Sequence, residues 1–211
     1  MTPAGRRGRV LPRSFYGRPT LVVARDLLGK ILAHQSADGL TTGRIVEVEA
    51  YIGETDPACH AAPGPTPRNA PLYGAPGHAY VYFNYGVHYL VNAVTERQGF
   101  PAAVLIRALE PVDGVALMDA RRGRRRDGTA VSTHDLCRGP GNLTRAMGIG
   151  PRLNRADLTV AGRGAGRLWV EDRGGEAPVI AWTTRIGIRV GADRPWRCYV
   201  SDSPAVSGRR T

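Results

Sequence analysis

The sequence predicts an α+β fold: a single domain with a mostly antiparallel β-sheet core and short peripheral helices. Three observations carry that prediction. Strand-like stretches outnumber helical ones along the 211 residues. They follow one another without the regular strand–helix alternation of a parallel sheet. The length suits one domain built on one core.

Each element has a local reason. Thr20 to Gly29 reads as a helix, because Leu21, Ala24, Leu27 and Leu28 share one side and Gly29 stands near its end. Lys30 to His34 reads as a strand, followed by the polar turn Ser36-Ala37-Asp38-Gly39 and a strong strand from Arg44 to Ile52. Cys59 to Gly77 holds five prolines and three glycines, so it is irregular. A long ordered loop in a small domain usually serves function. Ala79–Tyr85 and Val87–Val94 make two strands around Gly86, and Ala103–Leu109 makes another, ended by Glu110-Pro111. Val112 to Arg122 reads as a helix. The arginine run Arg121–Arg126, with Asp127-Gly128 after it, reads as an exposed loop. Leu143–Gly148 is a short helix behind the turn Gly139-Pro140-Gly141-Asn142. Leu168–Glu171, Thr184–Val190 and Arg197–Val200 are strand-like. The Pro/Gly/Arg-rich residues 1–13 form a flexible basic arm.

Composition narrows the function classes. Twenty-nine Lys+Arg against 18 Asp+Glu leave a net charge of +11, and Lys30 is the only lysine. Arginine forks onto phosphate, so two readings fit: a nucleic-acid binder, or a protein that is merely basic. No apolar run reaches the ~18 residues of a membrane helix, and Met1–Arg13 lacks the apolar core of a secretory signal. Three scattered cysteines (Cys59, Cys137 and Cys198) fit a reduced chain rather than a disulfide framework. Cys59, His60, His134 and Cys137 lack CxxC spacing, so no metal is expected.

Four segments carry candidate chemistry. In Arg44–Ile52, Val46, Val48, Ala50 and Ile52 share one face, and Ile45, Glu47, Glu49 and Tyr51 share the other. The two glutamates are either solvated acids on an open face or acids in a cleft roofed by the following Pro/Gly loop; alternation alone favours the first. Four of eight tyrosines fall between residues 80 and 89. Cross-strand pairing explains Tyr80 or Tyr89 well and Tyr85 less well, since Tyr85 stands at a hairpin tip suited to push between stacked bases. Arg107 lies between apolar residues on the Leu105 face of its strand. An anion is expected beside it, either a substrate phosphate or an internal carboxylate such as Glu110, with the internal pair slightly favoured. Gly141 and Asn142 precede a helix, where backbone N–H groups could meet a phosphate, or where Asn142 simply caps.

Taken together, Arg44-Ile45-Val46-Glu47-Val48-Glu49-Ala50-Tyr51, His60, Thr66-Pro67-Arg68-Asn69, Tyr80-Val81-Tyr82, Tyr85-Gly86, Asn92, Arg107-Ala108-Leu109-Glu110-Pro111 and Leu136-Cys137-Arg138-Gly139-Pro140 closely resemble the alkyladenine (3-methyladenine) DNA glycosylase family. Tyr199-Val200 and Ser203-Pro204 fit as well. The resemblance implies a curved antiparallel sheet, a glycosylase domain over residues 14–207 and a flexible tail at 208–211. It also implies excision of alkylated or deaminated purines by flipping the nucleotide out of duplex DNA. By position, Glu49 matches the general base. Tyr51, His60, Tyr82, Asn92 and Leu105 match the base pocket, Tyr85 the intercalating wedge, and Arg107 a phosphate contact. Asn142 stands where the animal enzymes carry a basic residue. The expected partner is damaged double-stranded DNA, bound by a monomer with no membrane and no cofactor, in a cytoplasmic, nucleoid-associated setting. The single lysine adds a point of mechanism. Glycosylases that also nick the backbone generally use an amine to form a Schiff base, and Lys30 lies outside every matched site segment, so a monofunctional enzyme is expected. A non-catalytic nucleic-acid-binding module is the alternative, and it has no use for Glu49.

Overall fold

The architecture turns on β3 (Gly39–Ile52), a strand of 14 residues. A computed structural model describes residues 8–84, 86–162 and 164–208. The first half of β3 pairs antiparallel with β2 (Ile31–Ser36) through the expected turn at Ser36–Gly39. Its second half pairs instead with β9 (Arg197–Val200), so the sheet branches at this strand. Along its other edge β3 pairs with β6 (Ala102–Asp113), with three register irregularities between Thr42 and Val48. Such bulges bend a strand and sharpen its twist, which accounts for the curvature. The remaining strands are β1 (Arg9–Val10), β4 (Ala79–Asn84), β5 (His88–Val94), β7 (Arg167–Asp172) and β8 (Ile180–Thr183). The sheet order is β1-β7-β2-β3-β6-β5-β4, with β8 added on β9, and every described pairing is antiparallel.

The helices lie on one side. α2 (Thr20–Leu27) and α4 (Pro140–Met147) bury Val23, Ala24, Leu27, Leu143, Ala146 and Met147 against Val46, Val48, Ala50, Val104, Ile106 and Val91 of the sheet. Each such Val, Leu, Ile or Met side chain contributes roughly 1.5–3 kcal/mol by leaving water. α3 (Val115–Arg122) adds Met118, and the short α1 (Arg13–Tyr16) adds Tyr16. Among the described residues no helix is long and apolar enough to cross a membrane.

Five departures from the expected elements have physical causes. Strand β6 runs past Glu110-Pro111 to Asp113, because the missing proline N–H falls beside the register shift at Gly43. A Cβ at Gly43 would meet the Leu109 Cβ at 2.8 Å, so the two strands approach there as only glycine allows. The following helix consequently starts later, at Val115, behind Gly114 at φ +73°. Thr184–Val190 forms no strand: β8 sits just upstream at Ile180–Thr183, and Gly187 and Gly191 hold positive φ beyond it. α4 begins at Pro140 with Gly139 at its N-cap, so Asn142 lies inside the first turn and does not cap it. Finally, the basic arm is integrated into the fold where it is described, since Arg9 and Val10 pair with Asp172 and Glu171. Residues 1–7 and 209–211 lie outside the described residues.

Candidate active site

The sheet face turned away from the helices carries a pocket of about 710 Å³. Alternation builds its floor. Leu90 and Asn92 of β5, Ala103, Leu105 and Arg107 of β6, Tyr80 and Tyr82 of β4 and Tyr51 of β3 all point into it. Their strand neighbours Val91, Val81, Val104 and Ile106 point the other way, into the core. The Pro/Gly loop supplies one rim through Pro57, Ala58, Cys59 and His60, and residues 186–190 supply a roof.

Glu49 lies directly behind this lining and is completely buried. The Tyr51 hydroxyl donates to its Oε2 at 2.9 Å, the Ile186 N–H donates to its Oε1 at 2.7 Å, and an Arg107 guanidinium nitrogen stands 3.2 Å from Oε2. All three partners line the pocket. The Tyr51 phenol is held far above its ordinary range, by burial first and by the Glu49 charge next, so it stays a donor. Of the two readings of this face, the open solvated one fails: both Glu47 and Glu49 are inside the protein.

Arg107 is committed internally. Its Nε donates to Glu47 at 2.9 Å, its side chain is 9% exposed, and it is fixed further by Ser207. Burial alone would lower its pKa, but Glu49 and Glu47 outweigh that and raise it. Of the two anions expected beside Arg107, the structure shows the internal one, as an ion pair with Glu47 and Glu49, while the side chain also lines the pocket. Glu110 instead faces Arg44 at 4.0 Å and accepts from Ser203.

The aromatic wall is cross-braced. Tyr80 and Tyr82 stack with centroids 5.1 Å apart, and the His60 ring meets Tyr82 edge-on at 4.4 Å. The His60 Nδ1 pairs with the Tyr80 hydroxyl at 2.9 Å, and burial pushes that phenol up to about 12. The His60 carbonyl accepts from Asn69, which also ties Gly64 and Thr66, so the Pro/Gly loop is pinned from within. Asn92 donates to the Tyr80 carbonyl at 3.0 Å. Leu105, 3% exposed, and Ala103 complete the floor. The structure thus brings Glu49, Tyr51, His60, Tyr82, Asn92, Leu105 and Arg107 to one site.

Gly141 and Asn142 are differently placed. A Cβ on Gly141 would fall 2.6 Å from the His88 ring, and Asn142 donates to the Arg138 carbonyl at 2.7 Å. The Gly141 Cα and the Asn142 side chain are thus both packed against protein. Tyr85, the expected wedge, lies outside the described residues. Among the described residues no group of three or more His, Cys, Asp or Glu could hold a metal. Cys59 belongs to the pocket rim, whereas Cys137 sits in the main core beside Met118.

The sequence profile of the methylpurine-DNA glycosylase family matches residues 14–204. The chain belongs to this family. The family comprises DNA glycosylases, hydrolases of N-glycosyl bonds in the repair of alkylation damage. The chain is 49% identical over 203 residues to a Methanocella arvoryzae protein named "Putative 3-methyladenine DNA glycosylase", covering 95% of this chain and 96% of that one. Proteins of the same name from Burkholderia orbicola (50%; 95% and 92% covered) and Chlorobium phaeobacteroides (48%; 95% and 96% covered) are similarly close. The family match ends just past the roof and β9, so it includes every pocket residue.

Sequence reasoning missed the residues that hold the site together. Asp56 and Arg185 form a fully buried bidentate pair at 2.6 and 2.8 Å. Arg197 joins Arg107 on Glu47, donating from Nε at 2.7 Å. The signal available was indirect: two carboxylates on an enclosed face need cations, and Arg185 and Arg197 are arginines in otherwise strand-like runs.

Proposed function

We propose that this protein is a monofunctional DNA glycosylase that flips an alkylated or deaminated purine out of duplex DNA and hydrolyses its N-glycosidic bond, leaving an abasic site. The observation that carries this reading is Glu49, a buried carboxylate whose three donors all line an aromatic pocket. In this reading the extruded base lies between Tyr51 and Tyr82, with His60 at its edge and Asn92 and Leu105 against its rim. Tyr85 fills the gap left in the duplex.

Hydrolysis passes through a cation-like sugar. Glu49 takes a proton from the attacking water as its oxygen bonds to C1′, and the negative charge stabilises the sugar as the bond to the purine nitrogen breaks. The water enters at Oε2, where the contacts of 2.9 and 3.2 Å are looser than the 2.7 Å bond at Oε1. Alkylation already makes the purine a good leaving group; a deaminated purine needs protonation as it leaves.

The lysine supports the monofunctional part. Lys30 Nζ is paired with Asp172 at 2.6 Å and lines a separate cleft with Arg25 and Glu176. A Schiff base at the sugar needs a free amine at the site. Borohydride should therefore trap no covalent adduct with damaged DNA; an adduct would overturn this part.

The deciding experiment is single-turnover excision from duplexes containing hypoxanthine or an alkyladenine. Wild type should release the base, and Glu49→Gln should bind the same duplexes without releasing it. Equal inactivity of both proteins on every lesion would replace the enzyme with a nucleic-acid-binding module.

A further inference from the structure

Arg185 immediately precedes the roof, residues 186–190, and its guanidinium reaches in several directions at once. Its Nη1 donates to the Ala50 carbonyl of β3 at 3.0 Å, and its Nη2 donates to the Gly191 carbonyl at 3.1 Å. Both nitrogens also grip Asp56. The two ends of the roof are thus clipped together and clipped to the strand that carries Glu49. Asp56 is anchored in turn, because its carboxylate accepts from the backbone N–H groups of Ile52 and Ala58. Arg194 adds a second cation, 3.7 Å from Asp56.

Two parts of the site depend on this clip. The residue after Arg185 is Ile186, whose N–H makes the 2.7 Å bond to Glu49. The Tyr51 ring lies 4.7 Å from the guanidinium, and Trp196 lies 5.2 Å from it. Tyr51 lines the pocket and Arg185 does not, so the cation supports the ring from the side away from the pocket.

We propose that Asp56 and Arg185 are positioning residues for the reaction, setting the Glu49 carboxylate through the Ile186 N–H and the Tyr51 ring through its supported face. The proposal rests on the glycosylase reading above. A bidentate fork fixes both distance and plane, which an apolar clip of equal volume would not. Misplacing a catalytic group by about 1 Å can cost about 100-fold in rate. The effect therefore belongs in the chemical step and not in DNA capture.

The test is a cycle of Asp56→Asn, Ile186→Pro and their combination, using a hypoxanthine-containing duplex under single-turnover conditions. Asp56→Asn keeps one acceptor for Arg185, and Ile186→Pro deletes the N–H itself. Each single variant should slow excision roughly 10- to 100-fold, by the scale of such positioning effects. The enzyme concentration for half-maximal rate should stay within about 3-fold, since phosphate capture is untouched. If Asp56 acts through the Ile186 N–H, the double variant should be little slower than Ile186→Pro alone. A wild-type rate in Asp56→Asn would overturn the proposal, as would fully multiplicative losses or a loss confined to half-saturation. Thermal midpoints confirm folding at the assay temperature, and Arg185→Lys, which cannot form the fork, replaces Asp56→Asn in the cycle if that variant is unfolded. Excision by wild type and none by Glu49→Gln, with normal Asp56→Asn, would sink the positioning role alone. Absence of excision by wild type would sink the glycosylase reading.

Discussion

Glu47 and Glu49 stand two residues apart on one strand, both fully buried and both touching Arg107, yet the regions around them differ in kind. Glu47 is sealed. It accepts from Arg107, from Arg197, and from both the backbone N–H and the hydroxyl of Ser207, so the C-terminal segment closes over it. The three donors to Glu49, by contrast, all form part of a pocket wall. Identical residues on the same face thus acquire different tasks from what covers them. The Glu47 network binds β3, β6, β9 and the C-terminal segment, and it holds Arg107 in place for its neighbour. Glu47 meets four donors from two cations and Ser207, against three donors at Glu49.

Substituting each acid in turn should break that contrast if it is wrong. Glu49→Gln should lower single-turnover excision by about 10²- to 10⁴-fold, the range of a general base. Its urea midpoint should fall less than that of Glu47→Ala, because one amide oxygen keeps the Ile186 N–H, the Tyr51 hydroxyl can turn to accept from the amide NH2, and Arg107 keeps Glu47. Glu47→Ala should do the reverse. It leaves Arg107 and Arg197 buried without their shared partner, at a cost of about 3–5 kcal/mol read from urea unfolding. Excision per folded molecule should fall far less than in Glu49→Gln. A folded Glu47→Ala protein as inactive as Glu49→Gln would show that the two regions act as one.

Much of the pocket floor was legible in the sequence because strand alternation is a local property. The faces assigned to Glu49 with Tyr51, and to Leu105 with Arg107, are the faces observed. The cover was not legible. Whether Glu47 and Glu49 meet water depends on residues 185–207, far along the chain, and alternation within β3 carries no trace of them. The same limit explains the strand expected at Thr184–Val190. Its composition suits a strand, but the Arg185 pairing with Asp56 and the Gly187 and Gly191 backbones fold it into a roof. The cap reading of Asn142 fails for a different reason: helix starts are set by φ/ψ, and Gly139 at φ +92° took the cap.

A smaller change sharpens the pocket side. Tyr51→Phe removes one donor to Glu49 while keeping the ring. A hydrogen bond to a charged group is worth about 1.5–3 kcal/mol. Excision should fall on the order of 10- to 100-fold with the half-saturating concentration unchanged. Equal loss from a change in half-saturation would mean that the hydroxyl serves base binding instead.

The smallest expected effect is one of pH, and it also separates the two regions. Burial, and then the Arg68 charge, hold His60 below its ordinary pKa of 6.5. Among the described residues no histidine is bonded to Glu47, whose partners are Arg107, Arg197 and Ser207. The sign follows from which state binds the proton first. An unfolded chain protonates this histidine near pH 6.5, while the folded pocket resists protonation until lower pH. Stability is therefore whole above 6.5 and is lost as pH falls from there toward the folded value. His34 responds in the same direction, since burial lowers it although its bond to the Met147 carbonyl opposes the shift. Urea midpoints of wild type and His60→Gln between pH 7.5 and 5 isolate the pocket contribution. His60→Gln should lose less stability than wild type across that range, with the remaining slope reduced further by His34→Gln. Superimposable curves for wild type and His60→Gln would mean that acid acts elsewhere, and that the pocket is no more proton-sensitive than the sealed network behind it.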